Sequence, residues 1–375
     1  MTLGNRDLSN LTLPTGWDAS ALARFALGDR TSYATVAGLL NQAVGALNAS
    51  LSGDPLYGSV LSFTDEPTVQ YNVGGNDSAE RHTEYGRPDA RRADLEGHML
   101  PKDKWDRGLG WTWDYLREAS LPQVQADIAM AVAAMRNRWQ IEILTRLLKR
   151  GDDSGAALGL GTGGYSPGFA TAAASTNVDF VPPTYAGVGF TSAHEHYVAI
   201  AGGLMTAAVF ADIEAELAEH GHLGPYDAWI STLDAPTVVA LSGFAPVRNE
   251  LTVYGSGATY AAFGEDMDEL NGTRYIGAIG NVRIRVHPRM PQYYAFGFKS
   301  YGNLSPRNPL RVRLAKGETR PAVVAMTDPR AGNATTPLQY MMLYFEFGVG
   351  IGSDRTNGTP RYVNNAAWAD GSIAG

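Results

Sequence analysis

The sequence predicts an α+β protein in which a long helix packs on a sheet formed by the C-terminal half of the chain. Three observations indicate this fold class: a helical pattern of about 30 residues over 121–150, a highly charged segment at 66–118, and a series of short strand patterns after residue 226. Hydrophobic residues make up 44% of the 375 residues and charged residues 18%, so most of the chain is expected to fold.

The charge and the cysteine content exclude several classes of protein. The chain has no cysteine, which excludes disulfides, thiolate metal sites and iron–sulfur clusters. Its net charge is −8, whereas a protein that coats nucleic acid is usually basic, so we expect any DNA contact to be non-specific and to phosphate. No apolar run approaches the roughly 18–20 residues of a membrane span, and the N-terminus lacks the pattern of a secretory signal. No membrane partner is expected.

The first predicted element is a helix over residues 32–50, which follows a weakly patterned N-terminal stretch. Thr31 or Ser32 can cap this helix. Its apolar side chains recur at spacings of three and four, as on one face of a helix; they are Val36, Leu39, Leu40, Val44 and Leu47.

The charged segment at 66–118 predicts an extended two-stranded loop, with one strand at 67–73 and a return strand at 111–116. Between them, 14 of the 28 residues at 80–107 are charged, seven of each sign. An isolated two-stranded unit is marginal in water, so this loop is either mobile and solvated or paired with a neighbouring subunit through matched charges. The candidate interface residues are Arg81, Arg87, Asp89, Arg91, Arg92, Asp94, Glu96, Lys102, Lys104, Trp105 and Arg107.

The next element is the clearest in the chain, a helix over 121–150. Ser120 and Gln123 fit a capping box, and Gly151 stops the helix. Thirty helical residues span about 45 Å, which is more than a compact domain usually needs from one helix. We expect its apolar face to lie on the C-terminal strands; the residues of this face are Val124, Ile128, Val132, Met135, Trp139 and Ile143.

The remaining chain alternates loops, short helices and strands. A glycine-rich turn at 151–175 precedes a helix at 193–219, which the Gly202-Gly203 pair bends or breaks. A short helix is predicted at 235–242. Strands are predicted at 226–231, 282–286, 293–299, 310–314, 322–326, 339–349 and 360–363.

One glycine motif could indicate a cofactor site. Gly159, Gly161 and Gly164 match the dinucleotide-binding pattern GxGxxG. That pattern works between a strand and a helix, because the helix N-terminus binds the pyrophosphate. Here a predicted helix precedes the motif, so we expect no cofactor.

Two histidine pairs could indicate a metal site. His194 and His196 form one pair, His220 and His222 form the other, and zinc accepts such ligands. In a continuous helix over 193–219, His196 and His220 would lie about 36 Å apart along the axis. They could share a metal only if the chain folded back at its internal Gly-Gly pair, so we expect surface histidines and no metal site. No other catalytic motif is present, and we expect no enzymatic activity.

The order of these elements resembles the major capsid protein family of tailed bacteriophages, which has the Hong Kong 97-type fold. Segment 219–230, with the sequence Glu-His-Gly-His-Leu-Gly-Pro-Tyr-Asp-Ala-Trp-Ile, together with 233–241 also resembles a helix–strand–helix step of that family. The resemblance implies an N-terminal arm at 1–65, an extended loop at 66–118, a peripheral domain at 119–205 with its spine helix at 121–150, and an axial domain at 206–335. It also implies closing strands of the peripheral domain at 336–375, in which 339–350 and 361–363 form a hairpin.

The same resemblance implies a structural protein that self-assembles, as hexamers and pentamers, into the icosahedral head shell around a double-stranded DNA phage genome. Its expected location is the virion capsid, assembled in the host cytoplasm. The implied partners are further copies of the chain, a separate scaffold protein, a portal and, in shells that carry one, a decoration protein. Two alternatives stay open: an encapsulin-type compartment of the same fold, and a soluble enzyme that uses the glycine motif for a cofactor or the histidine pairs for a metal.

Overall fold

The structure is a computed structural model of the chain. It describes residues 27, 29, 31, 33–73, 94–112, 115, 118–151, 153–154, 164–165, 167–170, 180–246, 266–268, 273–327 and 338–373. The described helices are α1 (Tyr33–Gly53), α2 (Pro55–Gly58), α3 (Leu121–Leu148), α4 (Ala207–Glu219) and α5 (Ala235–Val239). The described strands are β1 (Leu61–Thr64), β2 (Thr68–Val73), β3 (Asp94–Met99), β4 (Asp103–Thr112), β5 (Asp153–Ser154), β6 (Gly164–Tyr165), β7 (Val198–Ala199), β8 (Tyr226–Ser231), β9 (Phe244–Pro246), β10 (Asp266–Asp268), β11 (Thr273–Ile279), β12 (Val282–His287), β13 (Tyr294–Phe298), β14 (Leu310–Leu314), β15 (Val323–Thr327), β16 (Leu338–Ile351) and β17 (Thr359–Tyr362).

Helix α3 forms as its capped, periodic sequence predicts. At its start, the backbone N–H of Ser120 donates a hydrogen bond to Gln123 Oε1 at 2.8 Å. Its apolar face lies on the sheet that contains β16. Trp139 is 1% exposed, and its ring centroid lies 5.0 Å from that of Phe347 and 5.7 Å from that of Phe345. The expected contact between this helix and the C-terminal strands is confirmed.

A five-stranded sheet is organised around the 14-residue strand β16. One edge of β16 pairs antiparallel with β4. Its other edge pairs antiparallel first with β15 and then with β14, and β14 pairs in parallel with β1. Position 348 of β16 requires a glycine because the backbone of Pro101 passes close to it: a Cβ atom there would lie 2.0 Å from the carbonyl oxygen of Pro101.

The charged segment folds differently from the prediction. Strand β2 pairs antiparallel with β3, so the return strand is Asp94–Met99 and not 111–116. Residues 103–112 form β4 inside the five-stranded sheet. The physical reason is the pattern of β4: Leu109 and Trp111 lie on the same face of the strand, separated by Gly110, and bury that face in the main core. The two-stranded loop therefore ends before residue 103.

A second sheet has eight strands. Its strand order is β10-β11-β12-β8-β13-β17-β7, and β9 pairs antiparallel with residues 277–279 of β11. Strand β8 is buried on both faces: Trp229 belongs to the same core cluster as α3, whereas Ala228 and Ile230 belong to a second cluster with α4. Strands β5 and β6 form a separate two-residue pair.

Two further predictions are wrong. The helix expected at 193–219 begins only at Ala207, and residues 198–199 form β7 beside β17. Gly202 and Gly203 have φ values of 153° and 72°, which end any helix and turn the chain back. The last strand, β17, does not close a hairpin with β16; it pairs with β13 in the eight-stranded sheet. Among the described residues, no helix is long and apolar enough to cross a membrane.

Candidate functional site

The two-stranded ribbon of β2 and β3 is attached to the body of the subunit at its base. His98 Nε2 lies 3.0 Å from the carbonyl oxygen of Ile351, to which it donates a hydrogen bond. Burial lowers the pKa of His98 to about 4, so this histidine is neutral at neutral pH. Val69, Leu100 and Phe180 form a small apolar cluster beside it. The base of the ribbon is therefore fixed by the subunit itself.

The structure divides the predicted interface residues into three groups. Five of them lie outside the described residues, namely Arg81, Arg87, Asp89, Arg91 and Arg92. Asp94 and Glu96 lie on β3, the second strand of the ribbon. The other four, Lys102, Lys104, Trp105 and Arg107, lie at or within β4, in the five-stranded sheet.

Two of these four residues make contacts within the subunit. Lys102 forms a salt bridge with Glu346 of β16. The Trp105 ring packs against the Arg138 guanidinium, whose carbon lies 3.5 Å from the ring centroid, and against Phe347. Lys104 and Arg107 are exposed, so the prediction of a contact with a neighbouring copy stays open for them.

Large apolar side chains are exposed on the unit built around the eight-stranded sheet. Leu223 is 73% exposed, Leu233 is 67% exposed and Val239 is 49% exposed. They lie in the loops before and after β8 and at the end of α5. Single exposed apolar residues are common on soluble proteins, but these three are candidates for burial by a neighbouring copy.

The described part of the glycine motif does not form a nucleotide-binding site. Gly159 and Gly161 lie outside the described residues. Gly164 belongs to β6, which pairs with β5 directly after α3. The strand-then-helix context that the dinucleotide motif requires is not seen in the described part of this segment.

The histidines are placed very differently from the prediction. The Nε2 atoms of His194, His196 and His220 lie within 2.9–3.0 Å of one another. The predicted separation of about 36 Å was wrong, because it assumed one helix over 193–219. The chain folds back between β7 and α4, which is the one arrangement in which the sequence allowed these residues to share a ligand. His222 is separate: its ring contacts Tyr301 and Thr356.

Carboxylates and an arginine surround this histidine cluster. Glu216 Oε2 accepts a hydrogen bond from Arg361 at 2.8 Å, and both side chains are largely buried. Burial raises the pKa of Glu216 and lowers that of Arg361, while their mutual attraction opposes both shifts. Arg361 also donates to the carbonyl oxygen of His196 at 2.9 Å. Strand β17 is thereby linked to α4 and to the segment before β7.

Comparison with known proteins gives similarity in structure only. No protein-family model and no curated protein matches the sequence. A chain of Mycobacterium phage Patience is similar, with a TM-score of 0.62 and 16% identity over 92% of each chain. The mature capsid of bacteriophage PhiM1 is similar with a TM-score of 0.47 and 10% identity over 82% of this chain and 87% of that chain. The capsid of a native GTA particle is similar with a TM-score of 0.47 and 13% identity over 85% and 91%.

The chain has the Hong Kong 97-type capsid fold. The match to the mycobacteriophage chain covers 92% of both chains, so it extends over nearly the whole fold. The resemblance to the major capsid protein family of tailed phages, which the order of elements indicated, is confirmed at the level of the fold.

The feature that sequence reasoning missed is the convergence of His194, His196 and His220 with Glu216 and Arg361. No spacing rule finds it, because these side chains come from three separate segments: the one before β7, the C-terminal end of α4, and β17. The available signal was the Gly202-Gly203 pair between the two histidine pairs, which marks a point where the chain can reverse.

Proposed function

We propose that this chain is the structural subunit of an icosahedral phage head shell, which self-associates as hexamers and pentamers around a double-stranded DNA genome. The observation that carries the proposal is the nearly full-length match to the mycobacteriophage chain in a Hong Kong 97-type fold. The sequence resemblance links that fold to shell proteins.

The ribbon of β2 and β3 supports self-association. A two-stranded unit has too few contacts to be stable by itself, and the packing on the subunit that the structure describes is at the base of the ribbon. Gly97 lets the two strands approach closely, because a Cβ atom there would lie 2.7 Å from the carbonyl oxygen of Val69. A neighbouring copy would supply the packing surface that the outer part of the ribbon needs.

The exposed apolar side chains support a second contact between copies. Leu223, Leu233 and Val239 lie in segment 206–335, the part of the chain that gathers at capsomer centres in the family it resembles. Burial of such residues by symmetry-related copies would add free energy at each repeated interface. Substituting all three by serine should weaken assembly and leave the isolated subunit folded.

The remaining partners follow from the same proposal. A separate scaffold protein, a portal and a decoration protein would bind the shell, and DNA would contact it non-specifically through phosphate. An encapsulin-type compartment would assemble from the same fold but enclose protein cargo. The content of purified particles, DNA or protein, distinguishes the two, and no catalytic role is proposed in either case.

The proposal is tested by the size of the purified protein. A monomer has a mass of 40.1 kDa. Light scattering coupled to size-exclusion chromatography should show rings of five or six copies or much larger shells, in proportions that rise with protein concentration. A monomer at every concentration would contradict self-association.

A charge reversal tests the role of the extended loop. Arg91→Glu together with Arg92→Glu should block assembly, because the loop would then repel the acidic residues it is proposed to meet, while circular dichroism shows a folded subunit. The matched control is Lys316→Glu with Arg320→Glu, which reverses two charges in an exposed loop of the same subunit. If both double variants assemble equally well, the proposed contact through the loop is wrong, but the proposal that the chain forms a shell is not affected.

A further inference from the structure

We propose that His194, His196 and His220 bind a zinc ion through their Nε2 atoms, with a carboxylate oxygen of Glu216 or Glu219 as the fourth ligand. This site is independent of the proposed shell function, because all of its ligands come from one subunit. It is a structural site, in which every coordination position is taken by the protein.

The ligands are brought together by a reversal of the chain. His194 and His196 lie just before β7, and His220 caps the C-terminus of α4. The turn between these elements is held by a hydrogen bond from the backbone N–H of Gly203 to the carbonyl oxygen of Val363 at 2.7 Å. The ligands therefore come from two segments, the one before β7 and the C-terminal end of α4, which the turn brings together.

The distances fit a tetrahedral ion. Nε2 of His194 lies 3.0 Å from that of His196 and 2.9 Å from that of His220, and the remaining distance between His196 and His220 is also 2.9 Å. Zinc binds imidazole nitrogen at about 2.0–2.1 Å, which places tetrahedral ligands about 3.3 Å apart. The three atoms need to separate by only about 0.4 Å to accept the ion.

Hydrogen bonding cannot satisfy these three nitrogen atoms. An N–H···N bond needs one atom with a proton and one without. Among three atoms with two possible states, at least two are in the same state, so at least one contact has two protons or none. A cation that accepts a lone pair from each atom satisfies all three contacts at once.

The neighbours of His196 fix the form of that ring. Its Nδ1 lies 2.8 Å from the carbonyl oxygen of Gly358. Because a carbonyl oxygen only accepts, Nδ1 carries the proton, and the lone pair of Nε2 points into the cluster. A ligating histidine whose other nitrogen donates to a backbone carbonyl is the usual arrangement in metal sites.

Burial supports the neutral, ligating form of all three rings. Burial lowers the pKa of His194, lowers that of His196 well below its usual value, and lowers that of His220 to about 3. Nδ1 of His220 is buried without a hydrogen-bond partner in the described part of the chain. The Nε2 contacts are therefore the polar contacts that can compensate for burying this ring.

Two carboxylates flank the three nitrogen atoms. Glu216 Oε1 lies 3.5 Å from His194 Nε2 and 3.7 Å from His196 Nε2, while its other oxygen is held by Arg361. Glu219 Oε1 lies 3.4 Å from His194 Nε2 and 3.7 Å from His220 Nε2. Each of these two oxygen atoms lies within 4 Å of two of the three nitrogen atoms, so one carboxylate would have to move toward the third to complete a tetrahedral set, and its negative charge would offset that of the ion.

An aromatic ring covers one side of the cluster. The ring centroid of Phe190 lies 4.8 Å from that of His194 and 4.4 Å from that of His220. Such a cover limits access of water and so strengthens the interaction between the ion and its ligands. A bound ion would fasten α4 to the segment before β7, next to the buried pair of Glu216 and Arg361.

The test uses the full-length chain, stripped of metal by dialysis against a chelator and then equilibrated with zinc chloride. After desalting, metal analysis should give one zinc ion per chain, and zinc should raise the melting temperature. The His194→Gln, His220→Gln double variant should lose both effects. His287→Gln is the matched control: it replaces another buried histidine, hydrogen-bonded to Tyr57, and should keep one zinc ion.

Cobalt gives a second measurement that does not depend on how well the variants fold. Cobalt added to the stripped wild-type chain should show the intense visible bands of four-coordinate cobalt, and added zinc should remove them. The weak spectrum of six-coordinate cobalt would overturn the proposal. It would also be overturned if the wild type and the double variant retained the same amount of zinc.

Discussion

Two regions of the molecule are stabilised by different kinds of contact. In the spine region, α3 packs on the five-stranded sheet through apolar and aromatic side chains, with Trp139 between Phe345 and Phe347. In the junction region, defined by His194, His196, Glu216, His220 and Arg361, buried polar groups join α4 to its neighbours. The stability of the spine region comes from the close packing and burial of apolar surface. The stability of the junction region comes from paired charges and hydrogen bonds.

This difference explains which region can be predicted from sequence. On an amphipathic helix, apolar residues recur every three to four positions whatever surface they pack against. The sequence of α3 therefore predicts both the helix and its buried face. A buried polar cluster has no period, because its members meet only after the chain has folded. The four predictions that follow test this contrast, in order of decreasing effect.

The largest effect is expected at the centre of the spine region. Trp139→Ala removes a fully buried ring and should lower the free energy of unfolding by about 3–5 kcal/mol, measured by urea denaturation of the isolated subunit. Met130 lies on the same helix and is 55% exposed. Met130→Ala is the control and should cost less than about 0.5 kcal/mol. Equal costs for the two variants would show that α3 does not pack through this face.

In the junction region, removal of one charge should cost about 3 kcal/mol. Arg361→Met leaves Glu216 buried without its cation, and an uncompensated buried charge is strongly destabilising. Adding Glu216→Gln removes that charge and should restore part of the loss. If the double variant is as unstable as the sum of both single variants, the two side chains are not coupled.

Acid should weaken the polar contacts and leave the apolar core unaffected. Burial lowers the pKa of His98 to about 4 and that of His287 to about 3. An unfolded histidine has a pKa of about 6.5, so between that pH and the folded pKa the unfolded state binds more protons and stability falls as the pH falls. For His98 the loss is about 2 kcal/mol by pH 5.

The measurement for this prediction is the free energy of unfolding at pH 7 and at pH 5. His98→Gln should reduce the difference between the two pH values, because glutamine does not titrate. The same difference in the wild type and the variant would show that His98 is not held neutral by burial.

The smallest effect is a gain in α1, whose apolar side chains share a core cluster with those of α3. Gly45 lies inside α1, and a Cβ atom there would meet nothing within 4 Å. Gly45→Ala should therefore raise stability by about 0.5–1 kcal/mol, since alanine loses less backbone entropy than glycine in a helix. A loss of stability in thermal denaturation would contradict this prediction, because it would show that the subunit does not accommodate the added methyl group on α1.

Much of the fold was predictable because its signals are local. The cap at Ser120 and Gln123, the period of α3 and the alternation in the C-terminal strands placed most elements within a few residues of their observed bounds. Apart from the helix predicted at 193–219, which begins only at Ala207, the errors concern which segments meet. Strand β4 pairs with β16 because one face of β4 carries apolar side chains that are buried in the core. Strand β17 pairs with β13, which is distant in sequence. Pairing over such sequence distances leaves no local pattern.

The histidine cluster shows the same limit at a single site. The two HxH pairs were visible, but their separation depended on whether residues 193–206 were helical. In the structure the helix starts at Ala207, after Gly202 and Gly203 have turned the chain. The loop interface differs again: Arg91 and Arg92 were chosen from charge alone, and their contact with a neighbouring copy remains a prediction.

Electron cryomicroscopy of the assembled protein tests the central proposal most directly. We expect closed shells or regular sheets of five- and six-fold rings, with the ribbon of β2 and β3 lying on a neighbouring copy and α3 running within the shell wall. Particles of this kind that also enclose DNA when recovered from infected cells would support the full proposal. Contradictory results would be a protein that forms no rings, sheets or shells at any concentration, or an assembly in which the ribbon contacts only its own subunit.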